Sequence, residues 1–166
     1  MHEESIDALE RFIALYPSSK KISYAYYLRA LNYFEQIKDV ERDQSLTTKS
    51  KQAFYEVVNR YPESEFADDA YEKIDIINDR LAAKEIVIAR YYQFNHQWIS
   101  AINRYNKILR EYDTSVYTEE ALHRLVEIYL SLGLHEEAKN YASTLGFNFP
   151  SSDWYIKSYE LVKDLS

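Results

Sequence analysis

The sequence predicts an all-α protein, and three observations carry that reading. The 166 residues contain only two Gly and three Pro, with none between Pro62 and Gly133, so the frequent turn residues of a β protein are missing. Hydrophobic residues make up 46% of the chain, enough to build a core. Four sites share one pattern of an aromatic, Pro or Asp, any residue and Ser: Tyr16-Pro17-Ser18-Ser19, Tyr61-Pro62-Glu63-Ser64, Tyr112-Asp113-Thr114-Ser115 and Phe149-Pro150-Ser151-Ser152.

Each site reads as a joint between helices. Pro cannot continue a helix and pushes the residue before it out of the helical region. The Ser is placed to cap the next helix by accepting from its free N–H groups. Small residues recur on both sides of the joint: Ala25, Ala70, Ala121 and Ser158 after it, and Ser5, Ser50, Ala101 and Ala138 before it. Small side chains let two helices cross closely. A helix–turn–helix unit repeated in this way predicts a solenoid.

The elements follow in order. Helices are expected at roughly 3–15, 20–37, 48–60, 65–94, 97–111, 116–132, 135–147 and 152–164. Segment 3–15 reads as the second half of a repeat, so the chain is expected to start mid-solenoid as a single domain over 1–166. The polar stretch KDVERDQSLTTK between Ile37 and Ser50 reads as a long connection. Phe66, Ala70, Ile74, Ile77, Leu81, Val87, Ile88 and Tyr91 give an unbroken apolar period, hence one long central helix on the order of 45 Å. A bend near 81–84 is the alternative.

Two stretches fit the 34-residue tetratricopeptide (TPR) pattern. Ile88-Ala89, Tyr92, Trp98, Ala101, Tyr105 and Asp113 fill its places, and Leu125-Val126, Tyr129, Gly133, His135, Ala138 and Pro150 do so less closely. The predicted architecture is a right-handed α-solenoid of TPR-like hairpins.

Signals for catalysis are poor. His135-Glu136-Glu137 lacks the second His of a zinc-protease helix, and His2, His96 and His123 have no ligand spacing and read as solvated. No Gly-rich phosphate loop and no Cys occur. Asp68-Asp69, Glu119-Glu120 and Glu136-Glu137 read as acidic first turns that complement the helix dipole. The net charge of −7 argues against a nucleic-acid surface. No cofactor and no metal are expected.

Binding features are richer. Seventeen Tyr residues exceed what packing needs, and Tyr24 and Tyr27 are candidates to line a groove. Arg104, after Asn103, lies off the packing face of Ala101 and Tyr105 and is expected to point outward or flank a groove. Exchanging it for Glu should then weaken docking while changing stability by only about 0.5 kcal/mol. Glu41, Arg42 and Asp43 in the polar connection are candidates for a partner-contacting insert.

The order of several motifs resembles one family. Ala8-Leu9-Glu10-Arg11-Phe12-Ile13 with Tyr16-Pro17, Val40-Glu41-Arg42-Asp43 before Ala53-Phe54, and Asp79-Arg80-Leu81-Ala82 before Tyr91-Tyr92 are similar to the BamD family of outer-membrane-protein assembly lipoproteins. So is Trp98-x-x-Ala101-x-Asn103-Arg104 leading to Arg110-x-Tyr112-x-Thr114. The resemblance covers nearly the whole chain.

It implies a non-enzymatic periplasmic scaffold of five TPRs, tethered through an acylated N-terminal Cys to the outer membrane. The N-terminal repeats are linked to unfolded barrel substrates, and the C-terminal repeats to the POTRA domains of the barrel-forming partner. Other assembly lipoproteins are further implied partners. The docking region carries onto Arg104, with Asn103, Trp98 and Asn95 beside it. The leader, the lipid-bearing Cys and the first repeat are expected to be missing from this chain. Asn95-His96 stands where the family has a Gly turn, with Asn95 expected to take the left-handed conformation. Alternatives are a cell-division-linked envelope coordinator, which also uses Tyr-Pro-x-Ser repeats, and a generic TPR co-chaperone.

Overall fold

The computed structural model describes residues 2–37 and 42–165. These form eight α-helices and no strand. In order they are α1 (His2–Leu15), α2 (Ile22–Glu35), α3 (Gln44–Arg60), α4 (Ala67–Phe94), α5 (Trp98–Glu111), α6 (Thr118–Ser131), α7 (His135–Asn148) and α8 (Asp153–Val162). The residues group into two compact units, Met1–Arg80 and Leu81–Ser166. The 28-residue α4 gives its first half to one unit and its second half to the other.

The aromatic joints share one backbone geometry. Tyr61, Tyr112 and Phe149 end α3, α5 and α7 with φ/ψ of −133/55, −136/41 and −134/60. Asp113 follows Tyr112 where Pro follows the other two, so the joint does not need proline. The Ser three residues on then donates its N–H back to the aromatic carbonyl at 3.0–3.1 Å, from Ser19, Ser64, Ser115 and Ser152 alike.

Side-chain capping by these serines is the exception, contrary to expectation. Ser152 Oγ accepts from Trp154 N at 3.1 Å and caps α8. Ser19 Oγ accepts from Lys21 N, just before α2 begins. Ser115 Oγ instead meets Thr118 Oγ1, and Ser64 Oγ is buried with no hydrogen-bond partner among the described residues. The backbone turn itself supplies the Ser carbonyl to Ala67 N and Thr118 N, so the side chain is not required there.

The small residues sit at buried crossings. Ala70, Ala101, Ala121, Ala138, Ser50 and Ser158 are fully buried, and Ala25 nearly so. Ser5 departs from the pattern: it is exposed, because α1 buries only Ile6.

The connection before α3 is shorter than its polar composition suggested. Helix α3 begins at Gln44, and Thr47 and Ser50 face inward at 2% and 0% exposure. Thr47 Oγ1 donates to Asp43 O at 3.0 Å, which satisfies a buried hydroxyl. Small hydroxylated residues thus do the burial usually assigned to apolar ones. Arg42 lies in a turn and Asp43 is the residue before α3, while Glu41 lies outside the described residues.

Unit 1 packs on aromatic contacts. Tyr27 stacks on Phe66 with centroids 5.0 Å apart, Phe34 meets Phe54 edge-on at 6.0 Å, and Tyr26 meets Tyr61 at 5.4 Å. Unit 2 has a core of Ala82, Ile86 and Ala89 from α4, Ala101, Tyr105 and Ile108 from α5, and Ala121, Leu125 and Ile128 from α6.

Two helix ends in unit 2 carry the same left-handed turn. At α4 the turn residue is His96, φ 57°, rather than Asn95. Gln97 N donates to Tyr92 O and His96 N to Gln93 O, the Schellman pairing. Asn95 stays one position too early and sends its Nδ2 back to Tyr91 O at 2.8 Å. Gly133, φ 73°, closes α6 in the same way, with Leu134 N donating to Tyr129 O.

Candidate functional site

Helix α5 presents a polar cleft of about 550 Å³, lined by Tyr92, Ser100, Asn103, Arg104, Asn106, Lys107 and Arg110. Arg104, Lys107 and Arg110 repeat at a spacing of three, which keeps them on neighbouring rows of one helix face. These three cations are paired with two carboxylates, Glu85 and Glu111, which leaves a local excess of one positive charge on a chain of net charge −7.

Two of these cations are held by one carboxylate. Glu85 lies on the packed side of α4, between Ala82 and Ala89, with its side chain 5% exposed. Arg104 Nη1 donates to Glu85 Oε2 at 2.8 Å and Lys107 Nζ donates to Oε1 at 2.7 Å. Burial alone would raise the Glu85 pKa, but the hydrogen bonds from Lys107 and Arg104 outweigh it and hold the carboxyl below its ordinary value. Arg104 is therefore not a free surface arginine. Its exchange for Glu would face Glu85 with a second carboxylate, so the near-neutral stability expected of that substitution does not hold.

The sequence-derived candidates divide. Asn103 and Arg104 share the cleft. Trp98 is half-buried, packs on the unit 2 core and meets the His96 ring edge-on at 5.0 Å. Asn95 is exposed at the α4 turn, and neither it nor Trp98 lines the cleft. Tyr24 lines a separate groove of about 470 Å³ in unit 1 with Lys20, Lys21, Ser23, Glu65 and Phe66. Tyr27 is a packing residue: it stacks on Phe66 and donates to Asp69 Oδ2 at 2.5 Å. Burial and Asp69 together push its pKa up.

A second polar assembly joins α4, α5, α6 and α8. Arg90 Nε and Nη2 donate to Glu120 at 2.9 and 2.5 Å, and Arg124 donates to both Glu120 and Glu127. Gln93 donates to Glu127 Oε2 at 2.9 Å while accepting from the Tyr105 hydroxyl at 2.7 Å. His123 Nε2 lies 3.2 Å from Glu127 Oε1, and its Nδ1 lies 2.8 Å from Ser158 Oγ. Burial opposes ionisation of Glu127, but hydrogen bonds from His123, Arg124 and Gln93 prevail and lower its pKa to about 2.

These facts correct two sequence readings. His123 is 4% exposed, not solvated, and Glu120 is a buried ion-pair partner rather than a simple first-turn acid. The order Glu127–His123–Ser158 has the connectivity of a nucleophile, base and orienting acid. Ser158 is fully buried, however, so no substrate atom can reach its hydroxyl, and the three residues act as a clamp between α6 and α8.

Among the described residues, no cluster of His, Cys, Asp and Glu could hold a metal ion, and no helix is long and apolar enough to cross a membrane. Glu85 and Lys107 are not singled out by the sequence, and Arg110 is named only within the family resemblance. Their signal was present: Glu85 stands at a core position of a helical period, and the cations recur along one helix face.

Helical hairpins closed by repeated aromatic joints and Schellman turns, with small residues at their crossings, define an all-helical protein of TPR-like type. Within that class the chain belongs to the YfiO outer membrane lipoprotein family, whose model it matches over residues 2–145. It is 47% identical over 163 residues to the outer membrane protein assembly factor BamD of Rickettsia prowazekii, covering 98% of this chain and 65% of that protein. It is 48% identical to the BamD of Caulobacter vibrioides, covering 98% and 53%, and 32% identical to that of Neisseria meningitidis (strain Z2491), covering 95% and 63%. The chain thus spans between half and two thirds of the length of these relatives.

Proposed function

We propose that the chain is part of a non-enzymatic scaffold subunit that assembles β-barrel proteins at the periplasmic face of the outer membrane. In this reading the hairpins stack as a right-handed solenoid with α4 as its long central element. The α5 cleft docks on the POTRA region of the barrel-forming subunit, and other assembly lipoproteins join the complex. The Tyr24 and Phe66 groove of unit 1 helps hold unfolded outer-membrane proteins during delivery. A lipid anchor on the full-length protein supplies the attachment to the membrane.

Family membership carries the general role, since the matched relatives are named as outer membrane protein assembly factors. The single observation that supports the docking site is the α5 cleft, where the family-matching Asn103 and Arg104 stand with Lys107 and Arg110. Arg is enriched at protein-binding hot spots, and a positive cleft selects an acidic counterpart.

Calorimetric titration with the POTRA region of the matching barrel subunit tests this reading. Wild-type binding that weakens about tenfold or more in Arg104→Ala is the expected result, because the substitution removes a charged contact. Binding that is absent, or indifferent to Arg104→Ala and Arg110→Ala alike, would refute the assigned site.

A further inference from the structure

Two cations of the α5 cleft already hold an anion of the protein's own. Glu85, buried on α4, occupies one donor of Arg104 and one of Lys107. Each cation is also partly exposed, 37% for the Arg104 side chain and 33% for Lys107, so each faces both Glu85 and the cleft. Arginine has five donors in a planar fork, and the Nη1 bond to Glu85 engages only one. Lysine is a point charge that can serve Glu85 alone.

We infer that Glu85 is an internal stand-in for a carboxylate of the docking partner, and that Lys107 keeps Glu85 satisfied when Arg104 turns to the incoming acid. This rests on the docking reading above and adds its regulation. Two physical points support it. A buried carboxylate stripped of all its cations is strongly destabilising, so an arginine that is the sole partner of Glu85 could not be lent to another protein. Here Glu85 has two, one on each oxygen, so releasing one leaves a paired charge.

The second point is the sign of the field. Glu85 cancels part of the positive potential of the cleft and repels any second carboxylate brought to it. It also orients the guanidinium, which favours binding. Repulsion between like charges in a half-buried site outweighs the ordering of one side chain, so Glu85 restrains docking. Affinity for the partner is set by an exchange of carboxylates at Arg104 rather than by an empty positive site.

The test titrates wild type, Glu85→Gln, Lys107→Met and the double variant with two probes: the POTRA region and a blocked tetraglutamate peptide. Folding is checked by circular dichroism. Glu85→Gln should tighten both probes by about fivefold or more, a typical size for such coupling. A merely structural Glu85 would lower the melting temperature and leave affinity unchanged or weaker; that result overturns the inference. Lys107→Met should weaken binding more in the wild-type background than in the Glu85→Gln background. Equal losses would mean that Lys107 contacts the probe directly and does not relieve Glu85.

Wild-type protein gives a check that survives any folding defect. With the peptide saturating, nitrogen NMR should show the Lys107 ammonium still protected from hydrogen exchange. Loss of that protection overturns the exchange. If the peptide binds and tightens as stated while the POTRA region does not bind, the docking reading falls and the internal anion stands. If the POTRA region binds wild type and Glu85→Gln equally, the docking reading stands and the internal anion falls.

Discussion

His123 Nδ1 lies 2.8 Å from Ser158 Oγ, and both residues are buried. Glu127 cannot donate, so the proton on Nε2 belongs to the imidazole, and in the neutral ring the Ser158 hydroxyl donates to Nδ1. Trp154 covers the ring with centroids 5.1 Å apart. This arrangement ties α8 to α6 through a buried, satisfied polar contact.

Removing either partner should therefore cost more than removing both. Ser158→Ala leaves Nδ1 buried and unpaired, at about 2 kcal/mol. His123→Phe leaves the serine hydroxyl unpaired at a similar cost. Urea unfolding of the two single variants and the double variant checks this. Strict additivity would show that the pair contributes nothing as a pair.

Acid should loosen the same region first. The Glu127 pKa is lowered to about 2 in the fold, and those of Glu85 and Glu120 are also lowered. Folded-state values below the unfolded ones mean stability that is complete above the ordinary carboxylate range. It is lost as pH falls through about 5 toward 2. The urea midpoint should drop across this window, and Glu127→Gln should flatten the drop. An unchanged slope in that variant would show that other carboxylates govern acid unfolding.

Arg104 gives a graded series. Arg104→Ala leaves Glu85 with Lys107 and should cost on the order of 1.5 kcal/mol. Arg104→Glu adds a repelling carboxylate and should cost on the order of 3 kcal/mol. Denaturant midpoints in the reverse order would contradict the Glu85 geometry.

The two glycines should respond differently. A Cβ on Gly133 meets nothing within 4 Å, but its φ of 73° is strained for alanine, so Gly133→Ala should cost about 1 kcal/mol. A Cβ on Gly146 would run into the ring of Tyr155, so the ring must shift. Gly146→Ala should destabilise the wild type, yet stabilise the Tyr155→Ala background by about 1 kcal/mol through helix propensity. Melting temperatures of the four proteins decide it; a stabilised Gly146→Ala in wild type would show that the ring moves freely.

Much of the helical plan was legible because aromatic joints and small crossing residues are local signals. Tyr61, Tyr112 and Phe149 stop helices where the pattern places them, and Ala70, Ala101 and Ala121 sit at crossings. What remained hidden depended on partners far along the chain. Glu120 looks like a first-turn acid until Arg90, thirty residues earlier, is found beside it. His123 looks solvated until Ser158, thirty-five residues later, closes over it. Thr47 misled differently, because a hydroxyl satisfied by a nearby backbone carbonyl can be buried like an alanine. The position of Arg104 is legible but its pairing is not: helix angles locate a side chain on a face and do not reveal which neighbouring helix offers it a carboxylate.

The near-identical torsions at Tyr61, Tyr112 and Phe149 make these joints interchangeable elbows. The blocks between them differ in length, 51 residues and then 37, yet each begins and ends at the same local backbone turn. A cut at one elbow can be rejoined at another without changing the torsions of the joint. Gene duplication or deletion between such points would add or remove a hairpin and leave the local turn that follows it intact.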